Sequence, residues 1–204
     1  MSSSPPEVPI HDPDCQFCQI ATAYPPPPSD APHPSWIANT PPSPTLPFQN
    51  HTILATPTVL AFLDYYRISP GHLLLIPRAH HATLASLPPA TAAELGRWLP
   101  VLSCLVCDVA GVKDWNVQQN NGARAGQTVG HVHFHVVPRP ERVRRKKDRD
   151  VRWARARGFE PREEFEEEEG EEMARGLREG LGREVERMRG NGGAGAGGGG
   201  GERL

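Results

Sequence analysis

Proline sets the strongest limit on what this chain can fold into. Residues 21–47 read ATAYPPPPSDAPHPSWIANTPPSPTLP. Because proline fixes φ and removes a backbone donor, neither a helix nor a central strand persists through such a run. We therefore predict a linker or insertion at residues 21–47, with the packed core resuming after it.

Beyond that segment, the chain has the pattern of a sheet with one main helix. Residues 58–64, 72–78 and 115–119 are bounded by turn residues and have the composition of strands. Residues 90–110 have helical periodicity with prolines at the first turn, and Pro100 is expected to kink this helix. Strands, a helix and then strands again predict an α+β fold with a mostly antiparallel sheet.

The ends of the chain have compositions that do not favour packing. We predict a disordered N-terminus at residues 1–13, a folded domain at 14–140, a charged tail at 141–189 and a disordered glycine-rich end at 190–204. The tail is basic and then acidic, and apolar residues from Met173 to Met188 recur at helical intervals. Its two charged blocks either pair with each other, stay solvated, or bind RNA or an acidic partner.

Charge and hydropathy exclude several classes of protein. The formal net charge of −2 argues against a chain built as a whole to bind nucleic acid. The N-terminus lacks a signal-peptide pattern, and no run reaches the roughly 18 apolar residues of a membrane span. We therefore expect a cytoplasmic protein, with the nucleus as a second location, that has no membrane partner.

Four cysteines form two C-x-x-C pairs, which in a cytosolic protein suggest metal or redox chemistry before disulfides. Cys104 and Cys107 lie in an apolar helical segment and are predicted to be two small buried side chains. We therefore treat Cys15 and Cys18 separately, as candidate metal ligands.

Three histidines alternate with apolar residues in QTVGHVHFHVVP, residues 127–138. In a strand, His131, His133 and His135 would share one face, and the apolar residues between them would cover the core. The pattern leaves open surface histidines, a three-histidine metal centre, or an imidazole that attacks phosphorus. The preceding glycine-rich turn allows close backbone approach, and Gln127 and Thr128 add donors, which favours a phosphate ligand.

The segment NNGARAGQTVGHVHFHVVPRP resembles the signature of the histidine triad family of nucleotide hydrolases and transferases. LAFLDYYRISPGHLLLIPRAHH and the opening CQFCQI are also similar to that family. The resemblance covers residues 14–20 and 58–140. It implies a histidine triad fold, which is an antiparallel five-stranded sheet with one main helix, followed in this chain by a C-terminal helix. It also implies a homodimer.

The resemblance implies roles for individual residues. His133 resembles the family's nucleophile toward the α-phosphorus of a nucleotide, His135 the donor to phosphate oxygens, and His72 the outlying histidine that supports the triad. Asp64 resembles the residue that holds the ribose hydroxyls, and Phe62 would line the base pocket. The positions expected at the phosphate are Asn120, Gly126, Gln127 and Thr128, and Thr128 is also counted as catalytic. Strand-end capping is the alternative for Asp64, Asn120 and Thr128.

The family resemblance also implies a structural zinc ion. Cys15 and Cys18 have the spacing of two thiolates that share one tetrahedral ion. Family members with this opening complete the site with the histidine after the IPR strand and the first histidine of the triad, here His80 and His131. The adjacent His81 is the rival for His80. No organic cofactor is expected.

The expected function is hydrolysis of the α-phosphate linkage of a purine nucleoside 5′-phosphate derivative through a nucleotidyl-histidine. Two branches of the family are both represented. GQTVGHVHFHVVPR resembles the fragile histidine triad type, which cleaves diadenosine polyphosphates, whereas the Cys15 and Cys18 opening is more typical of the phosphoramidase-like branch. Asn120 stands where the first branch has glutamine. A nucleotide-binding regulator with vestigial turnover and a zinc-dependent hydrolase are the alternatives.

Overall fold

The computed structural model describes residues 11–26, 36–37, 46, 50–141, 162–164 and 166–192. Within these residues, five strands form one antiparallel sheet in the order β1-β2-β4-β6-β5. The strands are β1 Thr52–Ala55, β2 Val59–Leu63, β3 Tyr66–Arg67, β4 Leu73–Pro77, β5 Asp114–Gln119, β6 Phe134–Arg139 and β7 Glu163–Glu164. The helices are α1 Gln16–Ala23, α2 Pro89–Ala110 and α3 Glu167–Gly192, with single 3-10 turns at Leu84–Ser86 and Ala123–Ala125. The predicted fold class is confirmed.

Both faces of the central strands are buried, which explains their continuous apolar sequences. In β2, Val59 and Ala61 belong to the core that α2 and α3 cover. Leu60 and Phe62 point the other way and pack with α1. β4 alternates in the same manner, because successive side chains of a strand point to opposite faces.

Helix α2 is the main helix of the sequence prediction. Pro100 lies within it without ending it, and Gly111 caps its C-terminus with a φ of +66°. α2 has the length and mean hydropathy of a membrane span, which the sequence analysis did not anticipate. Its Leu95, Trp98 and Leu102 are buried in the core against the sheet. The prediction for the cysteines is wrong at Cys104, which is exposed, whereas Cys107 is buried.

The predicted C-terminal helix is α3, and it packs on α2 and β1. Leu177 and Leu181 are fully buried at this contact. Two of its glycines face α2, because a Cβ at Gly176 would lie 3.2 Å from Val109 and one at Gly180 would lie 2.5 Å from Leu105. Their function in the fold is to let the two helices approach closely.

Several boundaries differ from the prediction. α1 continues to Ala23, inside the expected proline-rich insertion, because the prolines begin only after Tyr24. From the same segment, Trp36 packs edge-on against Trp98, with ring centroids 6.2 Å apart. β1 and the short pair of β3 and β7 were not predicted. The predicted ends at residues 1–10 and 193–204, and the basic block at 144–147, lie outside the described residues.

Candidate functional site

The three alternating histidines are all buried on the side of the sheet that α1 covers. The Phe17 ring of α1 packs edge-on against the rings of His131 and His133, at centroid distances of 5.8 and 5.2 Å. β6 begins only at Phe134, so His131 and His133 precede the paired strand that the sequence predicted. The three rings divide into two groups, because His131 faces the cysteines while His133 and His135 lie 4.9 Å apart, edge to face.

A hydrogen bond to the carbonyl of His131 shows which ring nitrogen of His133 is protonated. His133 Nδ1 lies 2.7 Å from the carbonyl oxygen of His131, which can only accept a hydrogen bond. Nδ1 therefore carries the proton and donates it. In the neutral ring, Nε2 is left with a free lone pair, which is the form of imidazole that can act as a nucleophile.

His72 and His135 form a hydrogen-bonded pair whose direction is also determined. The backbone N–H of Ile68 donates to His72 Nδ1 at 3.1 Å, so the proton of this ring is on Nε2. His72 Nε2 in turn lies 2.9 Å from His135 Nδ1 and donates to it. His135 therefore carries its proton on Nε2, where it is available as a donor. The structure thus brings together His72, His133 and His135 as predicted.

Burial keeps these rings neutral. Desolvation lowers the pKa of His133, and it lowers the pKa of His135 to about 3, with neighbouring His133 adding to the effect. The pKa of His72 falls well below its ordinary value, mainly by desolvation and then through His135. The neutral forms that the hydrogen bonds require are therefore also the forms that burial favours.

Asp64 lies beside the histidine pair at the end of β2. Its Oδ2 is 3.5 Å from His72 Nδ1 and 3.9 Å from His135 Nδ1. Neither contact is an ion pair, because both of these nitrogens already accept hydrogen bonds. Oδ1 accepts from the backbone N–H of Tyr66 at 3.0 Å, and Oδ2 accepts from Arg162 at 2.9 Å. Burial raises the pKa of Asp64 to about 6, although Arg162 opposes the rise.

A second cluster contains the four predicted metal ligands. His131 Nδ1 lies 3.5 Å from Cys15 Sγ and 3.6 Å from Cys18 Sγ, and His80 Nδ1 lies 3.4 Å from Cys18 Sγ. A tetrahedral zinc ion, with bonds of about 2.3 Å to sulfur and 2.0 Å to nitrogen, separates these ligand types by about 3.5 Å. The four residues therefore fit such an ion. His81 is not in this group, so the geometry favours His80 over its rival.

The protonation of the cluster also suits a metal. His131 Nε2 lies 2.9 Å from the carbonyl oxygen of Pro77 and donates to it, which leaves Nδ1 with a free lone pair. Burial raises the pKa of the Cys18 thiol to about 11, and neighbouring Cys15 adds to the rise. A thiolate at Cys18 therefore needs a cation beside it.

The loop before the histidines has the glycine geometry that the sequence predicted. Gly122 and Gly126 have φ values of +87° and +83°, a region in which residues with a Cβ are strained. Gln127 is tied to the backbone rather than free for a phosphate: its Oε1 accepts from Gly122 N and its Nε2 donates to Ala82 O. These hydrogen bonds hold the loop, and the role of Gln127 as a nucleotide contact stays a prediction.

The remaining predicted site residues lie in three different environments. Thr128 is exposed at the end of the loop, and Asn120 donates from Nδ2 to Gly126 O at 3.5 Å. Phe62 is buried and packs edge-on against Phe17, with centroids 5.5 Å apart. Phe17 thus links Phe62 to His133, although no pattern in the sequence marked Phe17 as a site residue.

Arg162 was also missed, since it lies 98 positions beyond its partner Asp64 and outside any motif. Its guanidinium donates to Asp64 and to the backbone oxygen of Tyr66 at 3.2 Å. Only the alternation of basic and acidic residues around it was visible in the sequence.

Curated relatives match the same part of the chain. The chain is 38% identical over 95 residues to an adenylylsulfatase (HINT3) of Arabidopsis thaliana, which is 47% of this chain and 45% of the relative. It is 43% identical over 81 residues to an adenosine 5′-monophosphoramidase (hnt1) of Schizosaccharomyces pombe, covering 40% and 58%. It is 31% identical over 93 residues to an asymmetrical bis(5′-nucleosyl)-tetraphosphatase of the same yeast, covering 46% and 51%. The chain thus spans about half the length of these relatives.

Solved structures share the fold. A hypothetical histidine triad nucleotide-binding protein of Sulfolobus tokodaii aligns with a TM-score of 0.61 at 24% identity, covering 90% of this chain and all of that one. A zinc-bound histidine triad family protein of Mycobacterium smegmatis aligns with a TM-score of 0.53 at 26% identity, covering 85% and 97%. The family model described as HIT domain matches residues 47–142, which include β1 to β6, α2 and the histidine network. Residues 47–142 of the chain therefore match a HIT domain.

Proposed function

We propose that this protein hydrolyses purine nucleoside 5′-phosphate derivatives at the α-phosphate, through a nucleotidyl intermediate on His133. The observation that carries the proposal is the distribution of protons over the buried histidines. His133 presents a free lone pair at Nε2, while the adjacent His135 presents an N–H at its own Nε2. A nucleophile beside a donor is what phosphoryl transfer requires.

The reaction has two displacements at phosphorus. In the first, the His133 Nε2 lone pair forms a bond to the α-phosphorus, and the bond to the leaving group breaks and takes its electron pair with it. The N–H of His135 donates to the phosphate oxygens or to the departing atom. In the second, water forms the new P–O bond and loses a proton, and the P–N bond returns its pair to His133. The products are the nucleoside monophosphate and the leaving group.

The names of the relatives support the substrate class. They specify an adenylylsulfatase, an adenosine 5′-monophosphoramidase and a bis(nucleosyl)-tetraphosphatase. All three activities cut a bond at a nucleoside 5′-phosphoryl group and differ in what leaves. The histidine network acts on the phosphoryl group, so it is compatible with all three leaving groups.

The test combines a substrate panel with histidine variants. Turnover of adenosine 5′-phosphoramidate, adenylyl sulfate and diadenosine tetraphosphate is compared for the wild type, His133→Ala, His135→Ala and the control His81→Ala. We expect His133→Ala to lower kcat by several orders of magnitude, because it removes a covalent step, and to leave AMP binding largely intact. His135→Ala should lower kcat less, and His81→Ala should resemble the wild type.

Mass spectrometry after an acid-free quench then locates the intermediate. An adduct of nucleoside monophosphate is expected on His133, located within its peptide by fragmentation. Wild-type turnover in His133→Ala, or an adduct on His131 or His135, would contradict the assignment. AMP binding without turnover of any panel member would instead favour the regulator.

We also propose that Cys15, Cys18, His80 and His131 hold a structural zinc ion. The ligand separations support it, as does the zinc-bound family member of similar fold. When bound, zinc would fix α1 to the loop that leads into the histidines, and His131 O is the acceptor for His133 Nδ1. A zinc-dependent hydrolase is less compatible with the geometry, because His131 faces the cysteines and His135 Nδ1 is bonded to His72.

A further inference from the structure

A side chain of the C-terminal region contacts Asp64, the residue expected to hold the ribose. Arg162 lies 20 positions beyond the end of the HIT domain match at residue 142, yet its guanidinium contacts Asp64 Oδ2 at 2.9 Å. Asp64 borders both His72 and His135. A residue outside the matched domain is therefore in contact with the carboxylate at the centre of the site.

Several contacts hold this region in place. β7 pairs with β3, so that Glu164 lies opposite Tyr66 and Glu163 opposite Arg67. The Tyr65 hydroxyl donates to Glu164, and Arg67 forms a two-pronged ion pair with Glu169 at the start of α3. Arg162 also donates to Tyr66 O. The segment that carries Arg162 is thus held by the pairing of β7 with β3, by the Tyr65–Glu164 hydrogen bond and by the Arg67–Glu169 ion pair.

Asp64 needs a cation because of what surrounds it. Asp64 is 7% exposed, and the nearest ring nitrogens, on His72 just before β4 and on His135 of β6, present lone pairs rather than protons. Arg67 of β3 and Glu169 of α3 line the same small cavity and are paired with each other. Among the described residues, Arg162 is therefore the cation bonded to Asp64. A buried carboxylate without such a partner takes up a proton and loses its acceptor character.

We propose that Arg162 is a positioning residue of the nucleotide site, which keeps the Asp64 carboxylate ionised and oriented as the acceptor for the ribose hydroxyls. The proposal rests on the proposed function, in which Asp64 holds the ribose. A carboxylate oxygen has two lone pairs, so Oδ2 can accept from Arg162 and from a hydroxyl at once. The site is accordingly completed by chain beyond the HIT domain.

The first test is independent of activity. The carboxyl ¹³C resonance of Asp64, assigned by its loss in Asp64→Asn, is titrated in the wild type, Arg162→Gln and Arg162→Lys. We expect the titration midpoint to shift to higher pH in Arg162→Gln and to return toward the wild-type value in Arg162→Lys. Arg187→Gln is the control, since Arg187 is an exposed arginine of α3 that pairs with Glu184. It should leave the midpoint unchanged.

The second test measures nucleotide recognition. At neutral pH, Arg162→Gln should raise the AMP Kd and the substrate KM by about tenfold, the size expected when one charge-assisted hydrogen bond is weakened. The change in kcat should be smaller, and Arg162→Lys should recover part of the loss. Lowering the pH toward 6 should weaken AMP binding earlier in Arg162→Gln than in the wild type.

The outcomes separate the two proposals. An unshifted Asp64 midpoint in Arg162→Gln overturns the positioning role, whatever the enzyme does. Tighter AMP binding in Arg162→Gln also overturns it, because Arg162 would then be blocking the ribose site. If the wild type binds no AMP, the proposed function is overturned, and so is the assignment of Asp64 to the ribose. The shift of the Asp64 titration midpoint then still decides whether Arg162 keeps the carboxylate ionised.

Discussion

The histidines of this site carry their protons on different ring nitrogens, because neighbouring backbone groups determine which nitrogen is protonated. The carbonyl of His131 orients His133, the amide of Ile68 orients His72, and the carbonyl of Pro77 orients His131. A carbonyl accepts and an amide donates, so each ring is left in one tautomer. In the proposed mechanism, these tautomers let one imidazole act as the nucleophile, another as a donor and a third as a metal ligand.

The zinc proposal is tested at single residues. We expect protein purified without chelator to contain about one zinc ion per chain, which His80→Ala should lose because it removes one of four ligands. His81→Ala is the matched control and should retain zinc, since His81 is not in the four-residue cluster and its hydrogen bond from Val132 N is made by the backbone oxygen. Zinc content is measured by elemental mass spectrometry. Equal zinc in both variants, or none in the wild type, would contradict the proposal.

Among the elements, α3 depends on its glycines where it meets α2. Helix propensity alone predicts that glycine to alanine stabilises a helix by up to about 1 kcal/mol. At Gly180, however, the new Cβ would lie 2.5 Å from the buried Leu105 side chain, and overpacking of a core costs about 1–3 kcal/mol. The packing cost should therefore exceed the propensity gain at this position.

We expect Gly180→Ala to lower the free energy of unfolding by about 1 kcal/mol or more, measured by urea denaturation. Gly182→Ala is the control in the same helix, because its Cβ would lie at an ordinary 3.5 Å from Ile37. It should be neutral or stabilising. A stabilised Gly180→Ala would mean that Leu105 moves aside without cost.

At the scale of the whole molecule, β5 is an edge of the sheet with exposed apolar side chains. It pairs with β6 on one side, and Trp115 and Val117 are 44% and 45% exposed. An exposed edge of this kind is a template for another strand. We propose that a second copy of the chain covers it, which agrees with the homodimer implied by the family resemblance.

Light scattering, measured as the protein elutes from a size-exclusion column, tests this assembly. The wild type should be a dimer, and Val117→Arg should be a monomer, because it buries an unpaired charge at the interface. Leu84→Arg changes another exposed apolar residue, outside β5, and should remain a dimer. A monomeric wild type, or a dimeric Val117→Arg, would contradict the proposed interface.

The pH dependence of stability is a second property of the whole molecule. Burial raises the pKa of Asp64 from 3.8 to about 6, so the folded state binds this proton more tightly than the unfolded state. Stability from this group is fully present below about pH 4 and is lost as the pH rises through 6. The loss amounts to about 3 kcal/mol.

Urea denaturation of the wild type and Asp64→Asn at pH values from 4 to 7 measures this contribution. The difference in unfolding free energy between the two should shift in favour of Asp64→Asn as the pH rises. The comparison is needed because the buried histidines, whose pKa values are lowered, change stability in the opposite direction over the same range. A difference that is constant with pH would contradict the buried, proton-binding Asp64.

Local patterns were sufficient for much of the fold. The apolar runs of β2 and β4, the periodicity of α2 and the alternating histidines each occur within one stretch of sequence. β1 was missed because its four residues are too short a pattern to predict a strand and are identified as one only by their pairing with β2. β7 was missed for a similar reason, since two glutamates have no strand pattern of their own and are paired by β3.

The sequence by itself determined which residues are the candidates for the chemistry of this protein, because the motif places three imidazoles within five positions and a C-x-x-C pair needs no fold to be recognised. Only the tertiary structure decided which of these residues join the cysteine cluster and which join the histidine network. His131 joins cysteines 116 and 113 positions away, and Asp64 meets Arg162 across 98 positions. Contacts at such separations depend on how α1, the sheet and β7 pack together, so no local pattern records them.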